Sequence, residues 1–431
     1  MEAVVQQVDA REILDSRGRP TVEAAVVLNT GHKGVASVPA GASTGTAEAM
    51  ELRDGEPHRY GGWGCRKAVA NVRGTIARAL VGRSFAHQKE LDAALIELDG
   101  TGRKERLGAN AILAVSLAFA RASAACRGIP LYEYASDMVG FRAARLPRPS
   151  VNLFSGGCHA GRQVSLQDVM LVPHAATIDD CLAMVFSVYQ EAVRWCRERY
   201  GVRPLKADEG GLAPDFPSSE AMLDDAVRSI ERAGLTPGRD MSLAVDIAAT
   251  HFVKDTTYIL DDESCDAEKL IARLEKWSER FPLVSIEDGL AENDWEHWPI
   301  LQQKLGAKLV IIGDDLLCTQ PARIEQAIRL GAAGGLLLKV NQIGTLSEAA
   351  SAWRLAHDAG WHVCVSARSG ETEDHWLADL AVAWGHSIKV GSLAQSDRLA
   401  KYNRLLEIEH QTGWPLWPVA ARSTIHGVED S

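Results

Sequence analysis

Apolar residues change their period along the chain, and the change divides it. Residues 4–10 and 21–28 are short β-like runs, and Asp15-Ser16-Arg17-Gly18 between them is turn chemistry. Residues 37–45 read as a glycine- and serine-rich loop, after which 67–80, 87–98 and 110–127 carry apolar side chains at helical spacing. These elements predict a small α+β domain over residues 1–138, and Pro147 and Pro149 mark its junction with a second, larger domain. From 139 to 431 compact β-branched runs recur at 242–247, 283–286, 309–312, 336–340, 362–365 and 387–390, each followed by an amphipathic stretch. Such alternation, sustained over nearly 290 residues, predicts an α/β domain with parallel strands closed into a barrel. No linear motif repeats, which excludes a solenoid.

The ends of those runs carry the candidate chemistry. Asp246 ends SLAVD, Glu287 ends SIE, Asp314 follows VIIG, Lys339 lies in LLLK, Ser366 ends VCVS and Lys389 lies in SIK. The gaps are 41, 27, 25, 27 and 23 residues, and all but the first match one strand–helix unit. In a barrel that phasing gathers all six side chains around one mouth. Three carboxylates facing two lysines suit a hard cation such as Mg²⁺, with a lysine placed to act as base. A cation at the substrate carboxylate makes the neighbouring proton acidic, and burial beside that cation lowers a lysine pKa toward the working range of a base. Glu209, in Asp208-Glu209-Gly210-Gly211, is a candidate acid on the opposite face because the glycines permit close approach to a ligand.

Composition narrows the partners. The formal charge is −11 and no long basic block interrupts it, so neither nucleic acid nor an anionic membrane is an expected partner. Arg194, Arg197 and Arg199 are the densest basic run, broken by Glu198, and read as a solvated helix face. The eight cysteines are dispersed, with no CxxC, which predicts reduced, mostly buried thiols and a cytoplasmic protein. The N-terminus lacks a signal-like pattern, and the apolar stretch 107–125 is interrupted by Asn110, Ser116 and Arg121, which predicts a core helix and not a membrane span.

Ten blocks carry a family resemblance: DSRGRPTVE (15–23), VPAGASTG (38–45), ELRDG (51–55), LGANAILAVSLA (107–118), DEGGLAP (208–214), SIEDGL (285–290), GDDL (313–316), KVNQIGTLSEA (339–349), SARSGETED (366–374) and SDRLAKYNRLLEIE (396–409). In this order, over about residues 3–415, they resemble enolase, the phosphopyruvate hydratase family. The resemblance implies an enolase-type modified β/α barrel with an N-terminal α+β capping domain, a homodimer or higher homo-oligomer, and a small anionic phospho- or phosphono-carboxylate substrate. It implies Asp246, Glu287 and Asp314 as Mg²⁺ ligands, with Ser43 on a second metal. It further implies Lys339 as base, Glu209 as general acid and Lys389 on the substrate carboxylate. Ser366 and Arg368 match phosphate binders, and His159 matches a histidine of a mobile loop near the substrate. A lysine or histidine base with one or two Mg²⁺ ions is the known pattern of this superfamily.

The chain departs from that pattern at the rim. Ala367 stands where the family has histidine, and Asp168, in the substrate-binding segment, stands for glutamate. Ser155 replaces the asparagine before two glycines, Thr250-His251 replaces Ser-Glu, and Ser392-Leu393-Ala394-Gln395 replaces Ala-Pro-Cys-Arg. Two enzyme readings are compatible with this: a working enolase, or a relative similar to carboxyphosphonoenolpyruvate synthase of phosphonate pathways, with Ala367 giving room for another substrate. A non-catalytic enolase-fold scaffold is a third reading, opposed by the retained acids, which repel one another without a metal.

Overall fold

A computed structural model describes residues 3–42, 45–201, 203 and 205–419. Strand β1 (Ala3–Leu14) turns back into β2 (Pro20–Leu28), and β3 (Lys33–Ser37) extends the antiparallel sheet. Asp15 builds the turn: its Oδ1 accepts the backbone N–H groups of Arg17 at 2.9 Å and Arg19 at 2.8 Å. Along β2 the buried face is Val22, Ala24, Val26 and Leu28, alternating with half-buried neighbours. Helix α1 (Ala109–Arg127) covers β2 and β3. Gly34 permits the approach, since a Cβ there would lie 2.0 Å from the Ala118 carbonyl oxygen. Among the described residues α1 is the one helix long and apolar enough to cross a membrane, and 83% of its apolar stretch is buried within the protein. The core-helix expectation for that stretch matches this burial.

Eight strands then close a barrel: β4 (Arg148–Ser155), β5 (Asp168–Pro173), β6 (Met241–Asp246), β7 (Leu283–Glu287), β8 (Val310–Gly313), β9 (Gly335–Leu338), β10 (His362–Ser366) and β11 (Ser387–Gly391). They pair in sequence order, and β11 closes the ring on β4. The fold class is therefore a closed α/β barrel with an N-terminal α+β cap. One expectation needs correction, because the barrel is not wholly parallel: β5 runs antiparallel to both β4 and β6. The connection 156–167 holds only a 3₁₀ turn and no crossover helix, so the chain returns antiparallel. The interior is filled by Val310, Ile312, Leu337 and Cys364 in one cluster and Met170, Val172 and Ala244 in another, a packed core and not a pore.

The cap is pinned onto the barrel mouth. Ala40 and Gly370 form an isolated β-bridge, and a Cβ on Gly370 would come within 2.4 Å of Asp15 Oδ2. Arg17 donates to the Ala40 carbonyl at 3.0 Å and to Ser369 Oγ at 3.3 Å, and Trp376 Nε1 donates to the Ser37 carbonyl at 2.9 Å. The cap thus holds the loop after β10.

Candidate active site

Strand register assembles the site. Glu287 pairs with Asp246 across β7 and β6, Asp168 faces Asp246 across β5 and β6, and Ser366 faces Lys389 across β10 and β11. Asp314 and Lys339 are the residues immediately after β8 and β9. Because β5 runs backwards, Asp168 sits at its first residue yet at the same mouth as the others. One cavity is lined by Asp246, Asp314, Lys339, Ser366 and Lys389 together with His159, Glu209, Ala367 and Arg368. Glu287 borders the barrel interior beneath it and joins the ring through Lys389. Ser43 lies outside the described residues. A cavity of 870 Å³ lies away from this mouth, on the seam between cap and barrel helices.

Lys389 Nζ donates to Asp246 Oδ2 at 2.8 Å and to both Glu287 oxygens at 2.9 and 2.8 Å. Lys339 Nζ pairs with Asp314 Oδ2, whose other oxygen accepts from Gln342 Nε2 at 2.8 Å. Burial opposes every charge here, but Lys389 wins at Asp246 and Lys339 wins at Asp314, holding both carboxyls below the ordinary range. Glu287 goes the other way, pushed well above its usual value by burial and then by Asp246. Burial also works against the Lys339 ammonium, yet Asp314 raises its pKa. The lowered value expected from sequence belongs to a lysine beside a bound cation, whereas here the nearest partner of Lys339 is the Asp314 carboxylate.

The opposite wall is a hydrogen-bonded acid cluster. Glu209 rides on a short hairpin, Leu205–Lys206 and Leu212–Ala213, that attaches to β4 at Phe154. Asn152 Nδ2 donates to Asp168 Oδ1 at 2.9 Å and to Glu209 Oε2 at 3.2 Å. His159 Nδ1 lies 2.8 Å from Asp168 Oδ2, and its Nε2 lies 4.0 Å from Glu209 Oε1. Burial disfavours the imidazolium, but Asp168 and then Glu209 outweigh it and raise His159 to about 9. Burial likewise opposes ionisation of Glu209, whose pKa is nonetheless lowered by His159 and Arg398. Burial raises Asp168. These shifts favour charge on both His159 and Glu209, the residue read from sequence as the acid. Ser155 Oγ donates to Asp168 Oδ1 at 2.6 Å, so two departures from the family pattern touch each other.

Arg368, which the sequence matches to phosphate binders, is a buried cation bound to the cap. It is 4% exposed, its Nη1 and Nη2 both reach Glu48 at 3.0 Å, and Nη1 donates to Asn341 Oδ1 at 2.9 Å. Ser366 Oγ donates to the Ala367 carbonyl at 3.0 Å, and the Ala367 methyl faces a cavity with no imidazole on this side. Reading the sequence missed Asn152 and Glu48, polar residues in segments with no chemical signature of their own, and Asn341, which lies inside a family block but was given no role.

Among the described residues, ligand atoms converge within 4.8 Å in two groups, His159/Asp168/Glu209 and Asp288/Asp314/Asp315, and such donor sets suit a divalent metal. In the second group both Asp288 oxygens are taken by the backbone N–H groups of Asp314, at 2.9 Å, and Asp315, at 2.7 Å, which aims Asp314 at the cavity. Residues 5–135 match the family model of the enolase N-terminal domain, and residues 143–416 match that of the enolase C-terminal TIM barrel domain. With a barrel, a capping sheet and a mouth of paired acids and lysines all in place, this chain belongs to the enolase family and is an enolase-like lyase.

Proposed function

We propose that the protein is a Mg²⁺-dependent lyase that abstracts the α-proton of 2-phosphoglycerate or a close phospho-carboxylate and expels the β-hydroxyl. The observation that carries this reading is one mouth holding Asp246, Glu287 and Asp314 beside two lysines, opposite Glu209 and His159. The donor set fits a cation because three buried carboxylates share two lysines, Lys389 on Asp246 and Glu287 and Lys339 on Asp314. Asp246, Glu287 and Asp314 would hold Mg²⁺, which supplies positive charge where the substrate carboxylate gains electrons. Lys339 Nζ would receive the α-proton as the neutral amine, after its ammonium has given a proton to solvent and left Asp314, and Lys389 neutralises the carboxylate. Glu209 passes a proton from the His159 imidazolium to the departing hydroxyl. Ser366 and Arg368 face the phosphate, with Glu48 competing for the guanidinium.

The test is direct assay of purified protein with Mg²⁺ and 2-phosphoglycerate, following product absorbance. Robust turnover that Lys339→Ala abolishes, together with α-proton exchange, is the expected result. Persistent exchange in Lys339→Ala would remove that lysine as base. A second reading, a phosphono-carboxylate substrate of the kind used by carboxyphosphonoenolpyruvate synthase, is favoured by the methyl that lines the cavity at Ala367, where the family pattern has an imidazole. Silence toward 2-phosphoglycerate alongside Mg²⁺-dependent stabilisation would select it.

A further inference from the structure

Eleven tryptophans are spread through the chain, and four of them meet at the end of the barrel opposite the mouth. Trp353 comes from the helix Leu346–Asp358, Trp361 immediately precedes β10, Trp384 ends the helix Trp376–Trp384, and Trp417 follows the last helix, Ser396–Thr412. With Phe141 they line a cavity of 350 Å³. The rings are fixed in place. Trp353 Nε1 donates to the Trp384 carbonyl at 2.6 Å, and Trp384 Nε1 donates to the Ala135 carbonyl at 3.0 Å. Trp417 is held through its backbone, which donates to the Leu146 carbonyl at 2.9 Å and accepts from Arg148 Nε at 2.8 Å. Side chains whose task was to fill a core would close such a space, because protein interiors hold few voids larger than a water molecule.

The charge of the lining has one sign. In a chain of formal charge −11, no carboxylate is among the described lining residues, which include Arg145, His357, His362 and His386. Arg145 is half-buried, and its guanidinium lies over the Trp417 ring, 5.4 Å from the centroid. Among the described residues that guanidinium has no ion pair and no hydrogen bond. His386, 4.7 Å from the same ring, is kept neutral by burial and accepts the Val363 N–H on Nδ1 at 3.0 Å, which leaves its proton on Nε2. The cavity thus sets a planar cationic fork and a ring N–H beside a wall of aromatic faces.

We propose that this cavity is a binding site for a planar aromatic carboxylate, separate from the lyase mouth. The ring enters among Trp361, Trp384 and Trp417, and the carboxylate meets Arg145 in a pair of parallel hydrogen bonds. Each half of such a ligand answers one half of the lining. A neutral ring leaves the guanidinium unpaired, and a small aliphatic acid leaves the indole faces bare, so neither alone binds as well.

The test is isothermal titration calorimetry of the full chain with indole-3-acetate, and with indole and acetate as the two halves of that probe. One-to-one binding is expected for indole-3-acetate, on the order of 10-fold tighter than for indole, and none for acetate over the same range. Arg145→Gln breaks no contact but the one with Trp417, and it is expected to bring indole-3-acetate down to the affinity of indole. Trp417→Ala, checked for folding by circular dichroism, is expected to weaken both ring-bearing probes severalfold. Absence of binding to the parent chain would overturn the proposal, and so would an affinity for indole-3-acetate that either substitution leaves unchanged. Saturating 2-phosphoglycerate with Mg²⁺ should not alter the titration; displacement would move the probe to the mouth and remove the separate site. No turnover enters these titrations, so their failure is distinct from a failure of the lyase reading.

Discussion

At the scale of single residues, the site is a set of compensations. Ser155 and Asp168 are both shorter than the family pattern, and together they make a 2.6 Å hydrogen bond to a buried carboxylate. Removing the donor leaves that acid one partner poorer, so Ser155→Ala should cost about 1.5 to 3 kcal/mol in urea denaturation. The same substitution made on Asp168→Asn should cost clearly less, a coupling that a double-mutant cycle reads. Ala367→His is the informative change on the phosphate side. If the cavity serves ordinary enolase substrate, the imidazole should raise turnover of 2-phosphoglycerate; a fall would mean that the space beside the Ala367 methyl is used. Strand-end residues such as Asp246, Glu287 and Lys389 were legible in the sequence because one residue per repeat, in phase, suffices to place them. Glu48 was not, because its meaning comes from Arg368, 320 residues away, through a pairing that no local pattern encodes.

At the scale of elements, the barrel strands that were readable are those with β-branched runs and a following helix. Strand β4, RPSVNLFS, is buried at every position but half of it is small or polar, and β5 comes after it without a helix. Neither offers the alternation that marks a strand–helix unit, so the antiparallel return went unseen. The N-terminal sheet was legible because β2 alternates and Asp15 starts an obvious turn. What alternation does not reveal is how closely α1 approaches the sheet. Gly34→Ala places a methyl against the Ala118 carbonyl and is expected to destabilise the protein by about 3 kcal/mol, measured as a lowered urea midpoint.

The whole molecule carries its pH dependence partly at the end of the barrel away from the mouth. His362 is buried and held neutral, its pKa driven well below the ordinary value by burial and then by His386. Burial also pushes His386 down to about 4. Both groups bind protons more readily unfolded, so their contribution is complete above about pH 6.5 and is lost as pH falls toward 4. The loss should reach the order of 3 kcal/mol. Glu287 and Asp315 have raised pKa values and slope the opposite way, so the reading is the difference between the parent and the His362→Gln/His386→Gln double variant. Between pH 7.5 and 5 the parent should lose stability faster; parallel curves would contradict this. Mg²⁺ acts on the same molecule through mass action. At about 100 times its dissociation constant it should add ~2.7 kcal/mol of apparent stability, read by thermal unfolding, and this gain should shrink in Asp246→Asn.

Ring closure between β11 and β4 has a temporal consequence. Strand β4 can find its closing partner only when residues 387–391 have left the ribosome, so during synthesis a growing, unsealed sheet presents bare backbone at its margins. The mouth cannot exist before that moment, because Lys389, which gathers Asp246 and Glu287, arrives with the last strand. A chain stopped short of residue 387 is thus left with an adhesive fragment and no reaction centre, and the interval before sealing is when such a protein most needs a chaperone.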